Sequence, residues 1–191
     1  SQTPFLAQPF LQSALSATGV HIEPSRIFDS LDWETSGRRI DGLPHSIFQI
    51  ANHLIYWQDL FLSGLAETSM TGPAHASDSW PGEVEPASEQ QWVQTVDRFR
   101  AGLEKAHEAV LAEDPLGSIP AHEATKRISV LNSIALHNSY HVGQVALIRQ
   151  LLGSWPPLEV AILGKIYYCS LSVHNKGNYY AEVKSWLGFS V

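Results

Sequence analysis

The chain has 191 residues, of which 44% are hydrophobic and 10% aromatic, so it can bury the core of one domain. Its 12 Lys and Arg residues against 19 Asp and Glu give a formal net charge of -7 at pH 7. An acidic surface repels nucleic-acid phosphates and anionic membranes, so neither is expected as a partner. No uninterrupted apolar run of about 18 residues is present to span a bilayer, and we expect a soluble, cytoplasmic protein.

Histidine is the unusual feature of the composition. Nine histidines accompany a single cysteine, Cys169. One cysteine excludes internal disulfides and any metal site built from several cysteines. A transition-metal site in this chain would therefore depend on imidazole ligands.

The first half of the chain predicts two long helices joined by a short turn. Apolar residues at helical spacing predict the first helix over residues 4–18, and a turn follows over residues 24–31. The second helix is predicted to run from Ser46, a good N-cap, to Ser63, with Gly64 as its stop. Apolar side chains surround most of this helix, which indicates a central position in the fold.

The second half predicts two further helices after a long connection. Residues 64–87 contain three glycines and three prolines, which favours a crossover along the fold over a tight turn. Ser88 followed by Gln91 has the form of a capping box at the start of the third helix. Thr125 is the predicted cap of the fourth helix, which ends before Gly153. Four long helices predict an all-α four-helix bundle.

The composition changes after Pro157. Four of the six tyrosines and three of the five lysines lie in residues 158–191, which contain no arginine. We therefore divide the chain into a bundle at residues 1–157 and a C-terminal appendage at residues 158–191. A strand is predicted in the appendage near residues 166–173.

Three histidines are the candidate metal ligands. At about 100° per residue, His137 and His141 lie within roughly 40° of each other on one face of the fourth helix. Two imidazoles one turn apart can reach one metal ion, but a stable site needs a third ligand. His53 is the candidate, because an imidazole in the middle of the apolar second helix needs a polar partner. A divalent ion shared by all three would leave a position for water or substrate.

Other interpretations of these histidines are open. A zincin protease is disfavoured because Asn138, and not glutamate, follows His137. A ferritin-like di-iron bundle needs two Glu-x-x-His motifs, whereas only Glu104 and His107 have a suitable spacing, and a solvated edge explains that pair more simply. The three histidines could also pair with one another in an empty helical bundle.

Four further residues are candidates for the surroundings of this site. Gln144 and Tyr140 are expected to orient ligands or substrate, and Trp57, one turn after the histidine of the second helix, is expected to form a pocket wall. His45 lies at the mouth of the second helix, where it either caps the helix or lines the pocket. No carboxylate lies near the histidine motif, so a general base would have to be metal-bound hydroxide or a residue that the sequence does not identify. No residue is therefore assigned a catalytic role.

Three separated blocks of sequence carry a family resemblance. The blocks are Pro44-His45-Ser46-Ile47 leading to His53 and Trp57, His137-Asn138-Ser139-Tyr140-His141-Val142-Gly143-Gln144, and Leu152-Gly153-Ser154-Trp155-Pro156. In order and spacing, over roughly residues 3–157, the chain resembles the DinB-like superfamily. Such chains usually end soon after this point, so residues 158–191 depart from the family, as a lineage-specific extension or as the product of a shifted reading frame.

The resemblance implies a fold, a metal site and an assembly. It implies an up-down-down-up bundle with a long crossover between the second and third helices, and a homodimer. It also implies one divalent transition metal, nickel, zinc or iron, bound by His53, His137 and His141. Similar proteins are bacterial and often stress-linked. The characterised ones include S-transferases that use bacillithiol or mycothiol and a mycothiol-dependent maleylpyruvate isomerase, and others are regarded as metal hydrolases.

The leading functional hypothesis is a metal-dependent enzyme that acts on a small molecule. We expect a thiol-dependent S-transferase in which a low-molecular-weight thiol loses its proton on coordination and attacks a small electrophile. The alternative enzyme is a metal-dependent hydrolase that uses metal-bound water. A third hypothesis, from another class, is a stress-related metal-binding dimer without catalysis.

Overall fold

The computed structural model describes residues 3–66, 71–120 and 122–158, and residues 1–157 form one compact unit. The described residues form five α-helices and one small hairpin. In chain order these are α1 (Thr3–Ser16), α2 (Trp33–Gly37), α3 (Ile47–Ala66), α4 (Glu89–Ala112), β1 (Ser118–Ile119), β2 (His122–Lys126) and α5 (Arg127–Leu151). The all-α prediction is confirmed. No described helix is both long and apolar enough to cross a membrane. The strand predicted near residues 166–173 lies outside the described residues.

A reciprocal cap starts α3. The Ser46 hydroxyl accepts from the Gln49 backbone N–H at 3.2 Å, and the Gln49 side-chain oxygen accepts from the Ser46 N–H at 3.2 Å. The prediction that Gly64 ends this helix is wrong, because α3 continues to Ala66. A glycine inside a helix lowers stability by only about 1 kcal/mol relative to alanine. The helix continues past Gly64 because its extra residues bury Leu65 in the core.

The start of α4 follows the predicted cap. The Ser88 hydroxyl accepts from the Gln91 N–H at 3.2 Å. The returning bond of a capping box is displaced by one residue, because the Gln91 side chain accepts from the Ala87 N–H.

The predicted cap of α5 is wrong. Thr125 lies in strand β2, and the helix begins two residues later at Arg127. The first backbone N–H groups of α5 find partners in the preceding turn: Arg127 donates to the Gly117 carbonyl at 2.9 Å, and Ile128 donates to the Pro115 carbonyl at 2.8 Å. Because these carbonyls satisfy the helix start, no side-chain cap is needed there.

Two apolar clusters fill the bundle. The first combines residues between 47 and 55 of α3 with residues between 92 and 103 of α4 and between 142 and 148 of α5. The second combines Leu65 of α3 with later residues of α4, earlier residues of α5 and part of α1; these are Ala106, Val110, Val130, Leu131, Ile134, Ala135, Leu11 and Leu15. The start of α3 therefore packs beside the end of α5, so these two helices are antiparallel, whereas α3 and α4 run in the same direction.

Two buried arginines hold the ends of α5 against the rest of the bundle. Arg127 donates to the Leu65 carbonyl at the end of α3 at 3.1 Å. Arg149 donates to the Ile27 carbonyl at 2.6 Å. With both ends held, the middle of α5 faces the middle of α3.

The connection between α3 and α4 returns across the start of α3. A 3-10 turn, Ala76–Ser79, begins where the Asp78 carboxylate accepts from the His75 backbone N–H at 2.9 Å. Beyond this turn, Gln49 donates to the Pro81 carbonyl at 3.1 Å, and the Ser46 hydroxyl donates to the Val84 carbonyl. These bonds keep the connection beside the N-terminal half of α3.

Candidate metal centre

Helices α3 and α5 bring the three predicted histidines together. One potential ligand atom from each of His53, His137 and His141 lies within 4.8 Å of the others. The Nε2 atoms of His53 and His137 are 3.3 Å apart. His53 and His141 are buried and His137 is half-buried.

Ser79 determines which nitrogen of His53 faces the cluster. The Ser79 hydroxyl donates its proton to the Ala76 carbonyl at 2.7 Å, so toward His53 its oxygen can only accept. His53 Nδ1 lies 3.0 Å from this hydroxyl and 3.2 Å from the Ser79 carbonyl oxygen. Nδ1 therefore carries the ring proton, and Nε2 presents its lone pair toward His137.

Gln144 orients His141 in a similar way. Its side-chain nitrogen donates to the Tyr140 hydroxyl at 3.3 Å, which leaves its oxygen to accept from His141 Nδ1 at 2.7 Å. Nε2 of His141 is then the nitrogen with a free lone pair. The two residues predicted to orient ligands thus form a short chain that ends on His141.

The histidines of the cluster are neutral near pH 7. Burial, followed by the charge of His141, lowers the pKa of His53 to about 4. Burial, followed by the charges of the other two histidines, lowers the pKa of His137 to about 3. Burial also lowers the pKa of His141 from its ordinary value, while the hydrogen bond that His141 donates to the Gln144 oxygen opposes that shift. Neutral imidazole is the form that binds metal ions.

The donor set fits a divalent transition metal. Zinc–nitrogen distances of about 2.0–2.1 Å at a tetrahedral angle place neighbouring nitrogens about 3.4 Å apart. The 3.3 Å between the Nε2 atoms of His53 and His137 agrees with that spacing. In the part of the chain that the structure describes, no carboxylate or thiol joins the cluster, and three imidazoles suit zinc, nickel or iron.

Aromatic rings surround the histidines. The Trp80 ring is stacked between His53 and His45, with centroid distances of 3.8 Å and 3.6 Å. The Trp57 ring lies edge-on to two histidines, with centroid distances of 6.3 Å to His53 and 5.9 Å to His137. Trp57 contacts two of the three histidines, and its role as a pocket wall stays a prediction. His45 contacts Trp80, while its neighbour Ser46 caps the helix.

Sequence reasoning missed Ser79 and Trp80, which contact His53 from the long connection. Ser79 lies 26 residues after His53 along the chain. No helical or strand repeat links positions that far apart, so the sequence pattern does not reveal the contact. The only available signal is a tryptophan in a segment rich in glycine and proline. Without the fold, that signal does not indicate where the ring packs.

A cleft of about 520 Å³ lies beside the wall formed by Ser79 and Trp80. Its size is suitable for a small molecule. Polar and apolar side chains line it: Asn52, Ile55, Tyr56, Asp59, Leu60, Ser63, Asp78, Pro81 and Arg98. Arg98 pairs with Asp59 at 2.5 Å, so the cleft carries both signs of charge.

His107 packs between α1 and α4 and is not a di-iron ligand. Its Nδ1 bonds the Gln12 side-chain oxygen, and its Nε2 lies 3.4 Å from the Ser16 hydroxyl. The expectation of a solvated edge is therefore wrong for His107, which is half-buried, although Glu104 is exposed. The side-chain partners provided by α1 explain this burial.

Comparison with known proteins assigns the family. A family model of the DinB superfamily matches residues 24–145, a span that contains all three histidines of the cluster. No curated protein and no solved structure gives a significant match. Because the family match covers more than half of its length, the chain belongs to the DinB superfamily.

Proposed function

We propose that the protein is a metal-dependent, thiol-dependent S-transferase that acts on small electrophiles. His53, His137 and His141 would bind one divalent ion, nickel, zinc or iron, through their Nε2 atoms. The observation that carries the proposal is the cluster of three neutral imidazoles within 4.8 Å of one another. A divalent ion in this site would lower the pKa of a coordinated thiol, so that a thiolate is available at neutral pH.

The donor set favours a thiol over water as the nucleophile. The described cluster includes no carboxylate that could act as a general base for water. A bound metal ion lowers the pKa of either nucleophile. The thiol needs the smaller shift to ionise at neutral pH, because its ordinary pKa is about 8.5 against about 15.7 for water. In the proposed reaction the thiol proton leaves to solvent, the sulfur forms a bond to the electrophilic carbon, and a leaving group such as chloride departs with its electron pair.

The side chains around the histidines would position the two reactants. Trp57 and Trp80 would exclude water with their apolar faces, and Gln144 would hold His141 in place. Tyr140 is 66% exposed, and its ring centroid lies 4.9 Å from that of His141. It would therefore contact an incoming molecule. The cleft beside Trp80 would bind the part of a substrate that does not react.

We further propose a homodimer that forms through the exposed face of α5. Between Arg127 and Arg149 this helix contains no charged residue, and both of these arginines are buried. Large apolar side chains occupy its exposed face at helical spacing: Leu136, Tyr140, Leu147 and Leu151. Two acidic chains repel each other, so a second copy would approach by this uncharged face.

Metal content tests the site directly. Untagged protein should contain one equivalent of a divalent transition metal by elemental analysis. The triple variant His53→Ala, His137→Ala, His141→Ala should contain none, whereas His122→Ala, which changes an exposed histidine outside the cluster, should retain the metal. A triple variant that still binds one equivalent would overturn the proposed site.

Activity distinguishes the candidate functions. The loaded protein should conjugate monochlorobimane to one member of a panel of bacillithiol, mycothiol, cysteine and coenzyme A, and turnover should depend on that thiol. Ester hydrolysis without added thiol would instead identify a hydrolase. Tight metal binding with neither activity would support the non-catalytic metal-binding dimer.

A further inference from the structure

A polar layer separates the two apolar clusters of the bundle. On α3 the fully buried members of the clusters leave a gap between Ile55 and Leu65. The half-buried Phe61 and Leu62 pack against the second cluster in the later part of this gap, and Gln58 lies in its first turn. On α5 they leave a gap between Ala135 and Val142, and Asn138 lies there. Because α3 and α5 are antiparallel, the two gaps lie at the same level of the bundle.

The histidine cluster marks the same level independently. The ring centroids of Trp57 and His137 are 5.9 Å apart. Gln58 follows Trp57 in the chain, and Asn138 follows His137. Successive residues of a helix point about 100° apart, so Gln58 and Asn138 are rotated away from these rings. Both amide side chains are among the buried residues of their helices.

The two amides are fully buried and have no hydrogen-bond partner among the described residues. Gln58 is 2% exposed and Asn138 is 1% exposed. The nitrogen and the oxygen of both side chains lack a partner there, which makes four unpaired polar atoms at one level of the core. Buried polar groups without partners are strongly disfavoured, so a layer of this kind requires a hydrogen-bonding ligand.

Helix α4 makes room for the Gln58 amide at this level by carrying a glycine, Gly102. The side-chain oxygen of Gln58 lies so close to Gly102 that a Cβ on that glycine would be 2.3 Å away. Any residue other than glycine would therefore displace the amide. The amides are uncharged, and each leaves both a donor nitrogen and an acceptor oxygen unpaired. A cation could satisfy only the two oxygens, whereas water, with its two donors and two acceptors, can satisfy all four atoms.

We infer that Gln58 and Asn138 bind internal water between α3, α4 and α5. Two amides offer four N–H donors and two oxygen acceptors, so one or two water molecules can satisfy all four unpaired atoms. This water site is separate from the proposed metal site, whose ligands are imidazoles.

Nuclear magnetic resonance on the full chain tests the inference without mutation. In protein labelled with nitrogen-15, the side-chain NH₂ protons of Gln58 and Asn138 should show direct cross-relaxation with water that resides for longer than a nanosecond. The NH₂ protons of Asn52, which donates to the Phe48 carbonyl outside the layer, provide a control. A direct contact between the two amides, with no water cross-relaxation at either, would overturn the inference.

Matched substitutions give a second readout. In Gln58→Met combined with Asn138→Leu, apolar groups of similar volume replace both amides, and oxygen-17 relaxation dispersion should count fewer long-lived waters. Each single variant should lower the melting temperature by several degrees, because it leaves one amide with fewer partners, whereas the double variant should recover most of that loss. Strictly additive losses would indicate packing alone and contradict the inference.

Glycine substitutions provide the matched control. Gly102→Ala should displace the Gln58 amide and reduce the number of internal waters, whereas Gly143→Ala, with nothing within 4 Å of its new Cβ, should not. An unchanged water count in Gly102→Ala would contradict the role of the Gln58 amide. Metal content should remain at one equivalent in all of these variants, so failure of the water site and failure of the metal site are distinguishable.

Discussion

Hydrogen bonds to Nδ1 determine the tautomers of two histidines in the candidate site. Ser79 holds the proton of His53 on Nδ1, and Gln144 does the same for His141, so both rings direct an Nε2 lone pair toward the cluster. Burial keeps the rings neutral. The chain thus provides the form of histidine that a metal ion binds.

The metal-free chain should lose stability as the pH falls below about 6.5. Unfolded histidines titrate near 6.5, whereas in the fold the pKa of His53 is about 4 and that of His137 about 3. Between these values the unfolded chain binds more protons, so stability is fully present above about pH 6.5 and declines as the pH falls toward 4 and 3. Urea midpoints measured with a chelator from about pH 7 to 4.5 should decline, and less steeply in His137→Leu. Equal slopes would refute this cause.

Ser79→Ala should weaken metal binding by about tenfold, because His53 loses its hydroxyl partner while the backbone carbonyl remains. Competition with a chromophoric chelator measures this affinity. Ser77→Ala, in the same 3-10 turn but exposed, should bind metal like the wild type. Equal affinities in the two variants would show that the hydroxyl does not position His53.

At the scale of elements, the bounds of the helices determine which side chains meet. The reciprocal cap at Ser46 sets the start of α3, and the carbonyls of Pro115 and Gly117 set the start of α5. Buried arginines then hold both ends of α5. Helix α4 contributes no ligand to the cluster, but it packs beside α3 and starts at a defined cap.

Ser88→Ala should destabilise the protein by about 1 kcal/mol, because the first turn of α4 loses a side-chain acceptor. Ser88→Asp, which restores an acceptor at the same position, should recover most of this loss. Chemical denaturation followed by circular dichroism gives the free energy of unfolding. The cap has no role in stability if Ser88→Ala unfolds at the wild-type midpoint.

At the scale of the whole molecule, the uncharged face of α5 places the proposed dimer beside the proposed active site. Tyr140 belongs both to that face and to the chain of bonds that ends on His141. A second copy on this face would therefore cover part of the surroundings of the histidines. Assembly and substrate access would then depend on the same helix.

Leu147→Glu should convert the proposed dimer into a monomer, because it places a charge in the apolar face of α5. Light scattering coupled to size-exclusion chromatography gives the mass. Leu111→Glu is the matched control, since Leu111 is 65% exposed on α4 and lies outside this face. A wild-type monomer, or a dimer in Leu147→Glu, would contradict the proposal.

Local signals in the sequence determined the long helices and the grouping of the candidate ligands. Periodicity located all four long helices, and Ser46 and Ser88 identified two helix starts. Two histidines one turn apart share a helix face whatever the fold, because the helical repeat alone sets that geometry. A third histidine on an apolar helix had to find a polar partner, which is a requirement of burial and not of topology.

Only the tertiary structure decided the contacts between distant segments. In the fold, Ser79 and Trp80 contact His53. Helix α5 begins at Arg127 and not at the predicted Thr125, and His107 packs against α1. The tertiary structure also aligned the amides of Gln58 and Asn138 in the gaps between two apolar clusters. These contacts join residues that are far apart along the chain, and their partners depend on how helices pack, which no local repeat encodes.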